Sequence, residues 1–268
     1  MGEGHIVPHQ LTIPELAELK DAWVYAGKRA NEAGFDVLEI HNAHGYLMHQ
    51  FLSPITNTRD DGYGGDLKGR MRFPLEVAEA LRDTWPQDKP VFLRVSAVDG
   101  VEGGWSMDDT VVYAKELKAR GIDVIDCSSG GVFGSATAAR IKRSWGFQVP
   151  YAERVRREAG IKTMAVGLII DPFFAEEVLR QGKADLIAIA REALVNPCWP
   201  QMAEIALGRK PADAMDDWPI QYGWWLKHRE RTFEQIRADE AIAGTGSTIH
   251  RPGIEQTASG QTNVTLKR

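Results

Sequence analysis

Two imidazoles and a phenol lie close together at His41, His44 and Tyr46, in the segment His41-Asn42-Ala43-His44-Gly45-Tyr46. These groups can donate hydrogen bonds to an oxygen and move a proton, and three of them converging where a strand ends favour a functional site over loop capping. The rival chemistry is metal binding through a His-x-x-His pair. The residues that follow offer no carboxylate or thiolate as a third ligand, and His49 is expected to face away or serve a helix, so no metal is expected. Arg94 interrupts an apolar run, where a guanidinium is costly unless an anion or an electron-rich group meets it. Glu39 or Asp126 could pair with it, and a cofactor contact is an equal alternative. Gly167 and the Ala190-Arg191 pair each follow a later apolar run. In a barrel the loops after the last strands often cradle phosphate, with glycine admitting the backbone and arginine supplying charge. Cys127 and Cys198 have no CxxC spacing and are expected to be buried and reduced.

The elements that must position these groups alternate. Thr12 and Glu15 form a capping-box pattern ahead of apolar residues at helical spacing from Leu16 to Ala33. Short β-favouring runs then recur at 37–40, 91–95, 124–127, 163–166 and 186–190, mostly as continuous apolar stretches that predict strands covered on both faces. Ser106 and Asp109 open an intervening helix that Gly121 closes, and Asp171-Pro172 open another that Gly182 closes. Strand and helix in alternation predict a parallel α/β sheet. The length of 268 residues suits a (β/α)₈ barrel, yet five strands can be counted, so a partial barrel with five of eight strands is expected over residues 1–208. Residues 209–268 read as a C-terminal helix and a polar tail, with disorder expected from Gly244 onward.

Thirty-two Lys and Arg against thirty-seven Asp and Glu give a net charge of −5 with the signs interspersed, which supplies no footprint for nucleic acid. No run of eighteen apolar residues and no basic-then-apolar leader occurs, so neither membrane nor export is indicated, and the cytoplasm is the default.

The stretch HNAHGYLMHQFLSPITNTRDDGYGGDLKGRMRF, residues 41–73, closely resembles the old yellow enzyme family of flavin-dependent oxidoreductases. Similarity continues through VFLRVSA, DCSSGG, GFQVPYAERVRREAG, AVGLI and IAREALVNP, over about residues 12–208, and is nearest the bacterial subgroup with paired histidines. The resemblance implies that His41 and His44 hydrogen-bond the carbonyl or nitro oxygen of an activated alkene and that Tyr46 protonates its α-carbon. It implies that Arg94 lies beside the pyrimidine edge of FMN, and that Gly167, Ala190 and Arg191 hold the FMN phosphate. It also implies a two-stroke cycle, from NAD(P)H to flavin and from flavin to alkene. A tyrosine with a reference pKa of about 10 keeps its proton at neutral pH, which suits the donor role. Arg59, Asp60, Asp61, Arg70 and Arg72 resemble the family's loop after the histidine strand and are assigned to structure.

Several positions depart from the family. Ala190 stands where glycine is usual, Asp66 and Gly69 replace Ser and Asn, and QYGWW lacks an arginine that some relatives lend to a neighbouring subunit. The resemblance implies that the family's first three barrel strands, with several flavin contacts, precede the region matched here, so residue 1 is expected to enter mid-barrel. The expectation is therefore weak FMN binding and little activity from the isolated chain, together with self-association or a partner chain supplying the missing strands. Two alternatives to the ene-reductase reading are a non-enzymatic barrel fragment or assembly subunit that needs another chain and, from the histidine pair alone, a metal-assisted aldolase-type barrel.

Overall fold

The computed structural model describes residues 8–132 and 141–244. They fall into two compact units, the first ending at Ile189 and the second starting at Ala190. The sequence-based boundary at residue 208 falls inside the second unit, between two of its helices.

In the first unit, α1 (Ile13–Glu32) begins at a complete capping box, in which the Thr12 hydroxyl accepts the Glu15 N–H while the Glu15 carboxylate accepts the Thr12 N–H. β1 (Leu38–Asn42), α2 (Leu47–Leu52), α3 (Leu67–Thr84), β2 (Val91–Ser96), α4 (Met107–Ala119), β3 (Val124–Ser128), α5 (Val149–Ala159), β4 (Lys162–Val166), α6 (Pro172–Arg180) and β5 (Leu186–Ala188) follow. Ser106 with Asp109 caps α4, and Asp171 caps α6, as their sequence predicts. The five strands are parallel and stand in chain order β1-β2-β3-β4-β5, part of a (β/α)₈ barrel.

The strand bounds each differ from the apolar runs by a residue or two, most at β1 and β5. β1 continues past Ile40 through His41 and Asn42, because Asn42 stays in register with Val95; a ladder needs backbone partners, and apolar side chains are not required. β5 stops at Ala188, and Ala190 has left strand geometry at φ −130° and ψ −79°, since the chain turns there into α7 (Arg191–Val195).

Side chains alternate across the sheet. Ile40, Leu93, Val95, Ile125, Cys127, Thr163 and Ala165 are all buried on one face. The opposite face carries Glu39, His41, Phe92, Arg94, Asp126 and Met164 in register, and most of these remain partly exposed. The expectation that both faces are covered therefore holds throughout only for β3, every residue of which is buried. In β1 and β2 the partly exposed positions include Glu39, His41 and Arg94, whereas β4 and β5 leave apolar positions such as Met164 and Leu186 incompletely covered.

In the second unit α7 buries no residue, while α8 (Trp199–Ala206), α9 (Pro211–Ala214), a 3₁₀ turn at Met215–Asp217 and α10 (Ile220–Ala243) gather around Ile205, Ala214 and Met215, with Met202, Trp218 and Leu226 packed against them. Cys198 caps α8 and is half-exposed, which corrects the expectation of burial; Cys127 is fully buried. The polar tail of residues 245–268 lies outside the described residues. Among the described residues no helix is long and apolar enough to cross a membrane.

Candidate functional site

The carboxyl ends of β1, β2 and β3 bring the first group of candidates together. The His41 ring lies 5.2 Å from that of His44 and 5.4 Å, edge-on, from that of Tyr46. His41 is a strand residue in register with Arg94, which is in register with Asp126. His44 occupies the left-handed region at φ 58°, where a side chain costs about 1–3 kcal/mol unless its surroundings hold it. They do: its N–H donates to Ser96 Oγ at 2.9 Å, Ser96 Oγ donates to the Gly130 carbonyl at 2.7 Å, and the His44 Nε2 lies 2.7 Å from Ser128 Oγ. Gly45 follows at φ 76°, and a Cβ there would overlap the Gly131 carbonyl oxygen, so only glycine fits. Tyr46 then opens α2 with its side chain 65% exposed, accessible to a bound molecule.

The state of His44 follows from its neighbours. Burial, then the positive field of Arg94, then His41 and His49, push its pKa down to about 4, so its imidazole is neutral near pH 7. The same burial and Arg94 lower that of His41. Gln148 fixes the proton direction beside it. Its Nε2 donates to the Val166 carbonyl at 3.1 Å, which turns Oε1 toward Ser129 Oγ at 2.6 Å and Ser128 Oγ at 3.4 Å. Oε1 can only accept, so Ser128 donates to it and accepts the proton on His44 Nε2.

Arg94 pairs with Asp126, Nε to Oδ2 at 3.0 Å, which decides between the two carboxylates open from the sequence. The pair is incompletely satisfied: Arg94 Nε faces Asp126 Oδ2 without hydrogen-bond geometry, and Asp126 Oδ1 is buried with no hydrogen-bond partner among the described residues. Burial first, and the Glu39 charge after it, raise the Asp126 pKa to about 7 against the pull of Arg94; burial also raises that of Glu39. At the end of β4, Gly167 stands at φ 122°, where a Cβ would press on Phe147 and Gln148, and Leu168 follows at φ 56°. Ala190 and Arg191 belong to the second unit, where both are exposed and Arg191 begins α7.

The structural loop is cross-linked as expected, though by mixed means. Arg59 clamps Asp61 with Nε at 3.0 Å and Nη2 at 2.6 Å, Arg70 bonds the Leu52 and Gly65 carbonyls, and Arg72 lies over the Tyr63 ring. Asp66 caps α3 through the Gly69 N–H at 2.7 Å.

Sequence reasoning missed Ser96, Ser128 and Gln148, uncharged polar residues at the ends of β2 and β3 and the start of α5 that gain meaning only when these ends meet. It also set His49 aside. That side chain is fully buried, 2.8 Å from Asp99 through Nε2, with Nδ1 accepting the Gly45 N–H at 2.9 Å. Among the described residues no group of three or more His, Cys, Asp or Glu could hold a metal ion.

Residues 1–209 match the NADH:flavin oxidoreductase / NADH oxidase family. The chain belongs to this family. It is 48% identical over 201 residues to an NADPH dehydrogenase of Geobacillus sp. (strain WCH70), covering 75% of this chain and 57% of that protein. It is 42% identical over 225 residues to an NADPH dehydrogenase of Bacillus subtilis (strain 168), covering 83% and 63%. The chain thus spans about three fifths of the length of these relatives. Among solved structures it resembles histamine dehydrogenase from Rhizobium sp. 4-9, with 28% identity, TM-score 0.65 and coverage of 74% of this chain and 29% of that one. Morphinone reductase is similarly related, with 27% identity, TM-score 0.62 and coverage of 75% and 52%.

Proposed function

We propose that the chain carries the substrate-binding end of an FMN-dependent NAD(P)H oxidoreductase that reduces activated alkenes. The observation that carries this reading is the gathering of His44 and Tyr46 around His41, itself in register with Arg94, at the end of β1 in a chain that belongs to a flavin oxidoreductase family.

The residues suit a flavin. Asp126 has an orphaned buried Oδ1, and Arg94 beside it carries a partly exposed guanidinium; together they present an acceptor and a donor of the kind a pyrimidine edge needs. Gly167 would let a backbone approach a phosphate at the end of β4. FMN bound there would relay hydride from NAD(P)H to the β-carbon of the alkene.

The chain's own residues would do the rest. His41 and His44, both biased toward the neutral form, would donate N–H bonds to the carbonyl or nitro oxygen and stabilise negative charge as it develops. The proton on His44 Nε2 already serves Ser128, so a substrate oxygen would compete with that hydroxyl. Tyr46, exposed and edge-on to His41, would deliver its hydroxyl proton to the α-carbon. The protein supplied with FMN should oxidise NADPH anaerobically beyond the one equivalent that reduces its flavin only when cyclohexenone is present. Repeated NADPH turnover independent of any alkene would remove the alkene from the proposal.

A second reading is favoured by the strand order. β1 and β5 each have one unpaired edge among the described residues, so the site would work in an assembly whose other chain completes the barrel. Turnover that appears only after such a chain is added would support it.

A further inference from the structure

We propose that His49 is a positioning residue for this site: held as the Nε2–H tautomer by Asp99, it accepts the Gly45 N–H and thereby fixes the peptide between His44 and Tyr46. A backbone N–H can only donate, so the 2.9 Å contact from Gly45 requires a bare lone pair on His49 Nδ1. The single ring proton must then sit on Nε2, where it meets Asp99 Oδ1 at 2.8 Å.

Asp99 is built to hold that proton without taking it. Its Oδ2 accepts from Ser53 Oγ at 2.6 Å and from the Trp105 N–H at 2.7 Å. Burial works to raise its pKa, but the bonds from His49, Ser53 and Trp105 prevail and leave it lowered, hence ionised at neutral pH. Both side chains are fully buried, so water does not compete for these bonds.

The clamp acts at one place. Gln50 Nε2 donates to the Gly45 carbonyl at 2.7 Å, so both sides of the Gly45 residue are gripped by side chains of α2. Gly45 follows the strained His44 and precedes Tyr46, and its left-handed backbone sets the angle between their side chains. A shift of that unit moves the two together, whereas loss of ordinary packing under α2 would not single them out.

The inference rests on the reading of His44 and Tyr46 as substrate-facing, and its test separates the two. Long-range ¹H–¹⁵N NMR of the full chain at neutral pH should show His49 protonated at Nε2 alone; a proton on Nδ1 would overturn the proposal without any variant. His49→Asn keeps an acceptor near the Gly45 N–H, while His49→Gln keeps only a group able to reach Asp99. Exchange of the Gly45 amide should accelerate about tenfold in His49→Gln and less than about threefold in His49→Asn, the scale of one hydrogen bond. The Tyr46 ring resonances and the affinity for 4-nitrophenol should follow the same order. Equal effects in both variants, or none, would overturn the positioning role. A wild-type chain that shows the Nε2–H tautomer and protected Gly45 amide but ignores both 4-nitrophenol and cyclohexenone would sink the substrate reading and leave only a clamped loop.

Discussion

Asp126→Asn should change how stability depends on pH in a way that isolates one buried carboxyl. In the folded chain the Asp126 pKa stands at about 7 against an ordinary 3.8, because burial outweighs the attraction of Arg94. Between those two values the folded chain keeps a proton that the unfolded chain has released, so this group makes stability fall as pH rises through the window. The slope is about 1.4 kcal/mol per pH unit, and the whole window amounts to on the order of 4 kcal/mol. The carboxyl side chain is 3% exposed, so solvent screening takes little from this. Asparagine has nearly the same shape and does not titrate. The stability of the native chain minus that of the variant should therefore decline from pH 4 to pH 7 and level off above. Hydrogen exchange of β2 and β3 amides, corrected for its intrinsic pH dependence, reads the opening free energy of this unit directly. A difference that stays flat from pH 4 to pH 8 would refute the argument. It would mean that Arg94 keeps Asp126 ionised at its ordinary pKa, and that the unsatisfied Oδ1 is wet.

Other perturbations have equally definite outcomes. His41→Ala and His44→Ala should each weaken binding of a phenolate ligand by about 1.5–3 kcal/mol, the range for a hydrogen bond to a charged group, as measured by calorimetry in FMN-loaded protein. Ser128→Ala should act in the opposite sense, tightening that ligand by about 0.5–1.5 kcal/mol, because the His44 proton loses its competing acceptor. Gly45→Ala should destabilise the first unit by more than about 1 kcal/mol in a thermal melt, since the left-handed backbone and the Gly131 carbonyl both oppose a Cβ.

Much of the fold can be read from the sequence because its signals are local. Capping residues at Thr12, Ser106 and Asp171 and apolar runs at five places suffice to order the elements, and alternation alone gives the parallel sheet. The site divides differently. His41, His44 and Tyr46 are legible because one segment carries all three, and Arg94 because a charge in an apolar strand is conspicuous. The partners of these residues are not legible. Asp126 against Glu39 for Arg94 depends on strand register, His49 with Asp99 joins residues fifty positions apart, and the Ser128–Gln148 link joins the end of β3 to the start of α5. Such pairings arise from tertiary placement, and no local period reports them. The length of β5 was overread for a related reason: Ile189 and Ala190 continue its apolar pattern after the backbone has turned toward α7.

The separate timing of the two half-reactions tests the central claim most directly. FMN-loaded protein, completed by a barrel-supplying chain where one is needed, is mixed anaerobically with NADPH in a stopped-flow instrument and then with cyclohexenone, for the native chain and for Tyr46→Phe. The account predicts bleaching of the flavin at nearly the same rate in both, and recovery of colour slowed by about 10² to 10⁴ in the variant, the range for loss of a general acid. Equal rates of recovery, or equal slowing of both steps, would contradict the assignment of Tyr46 and with it the proposed substrate end of the site.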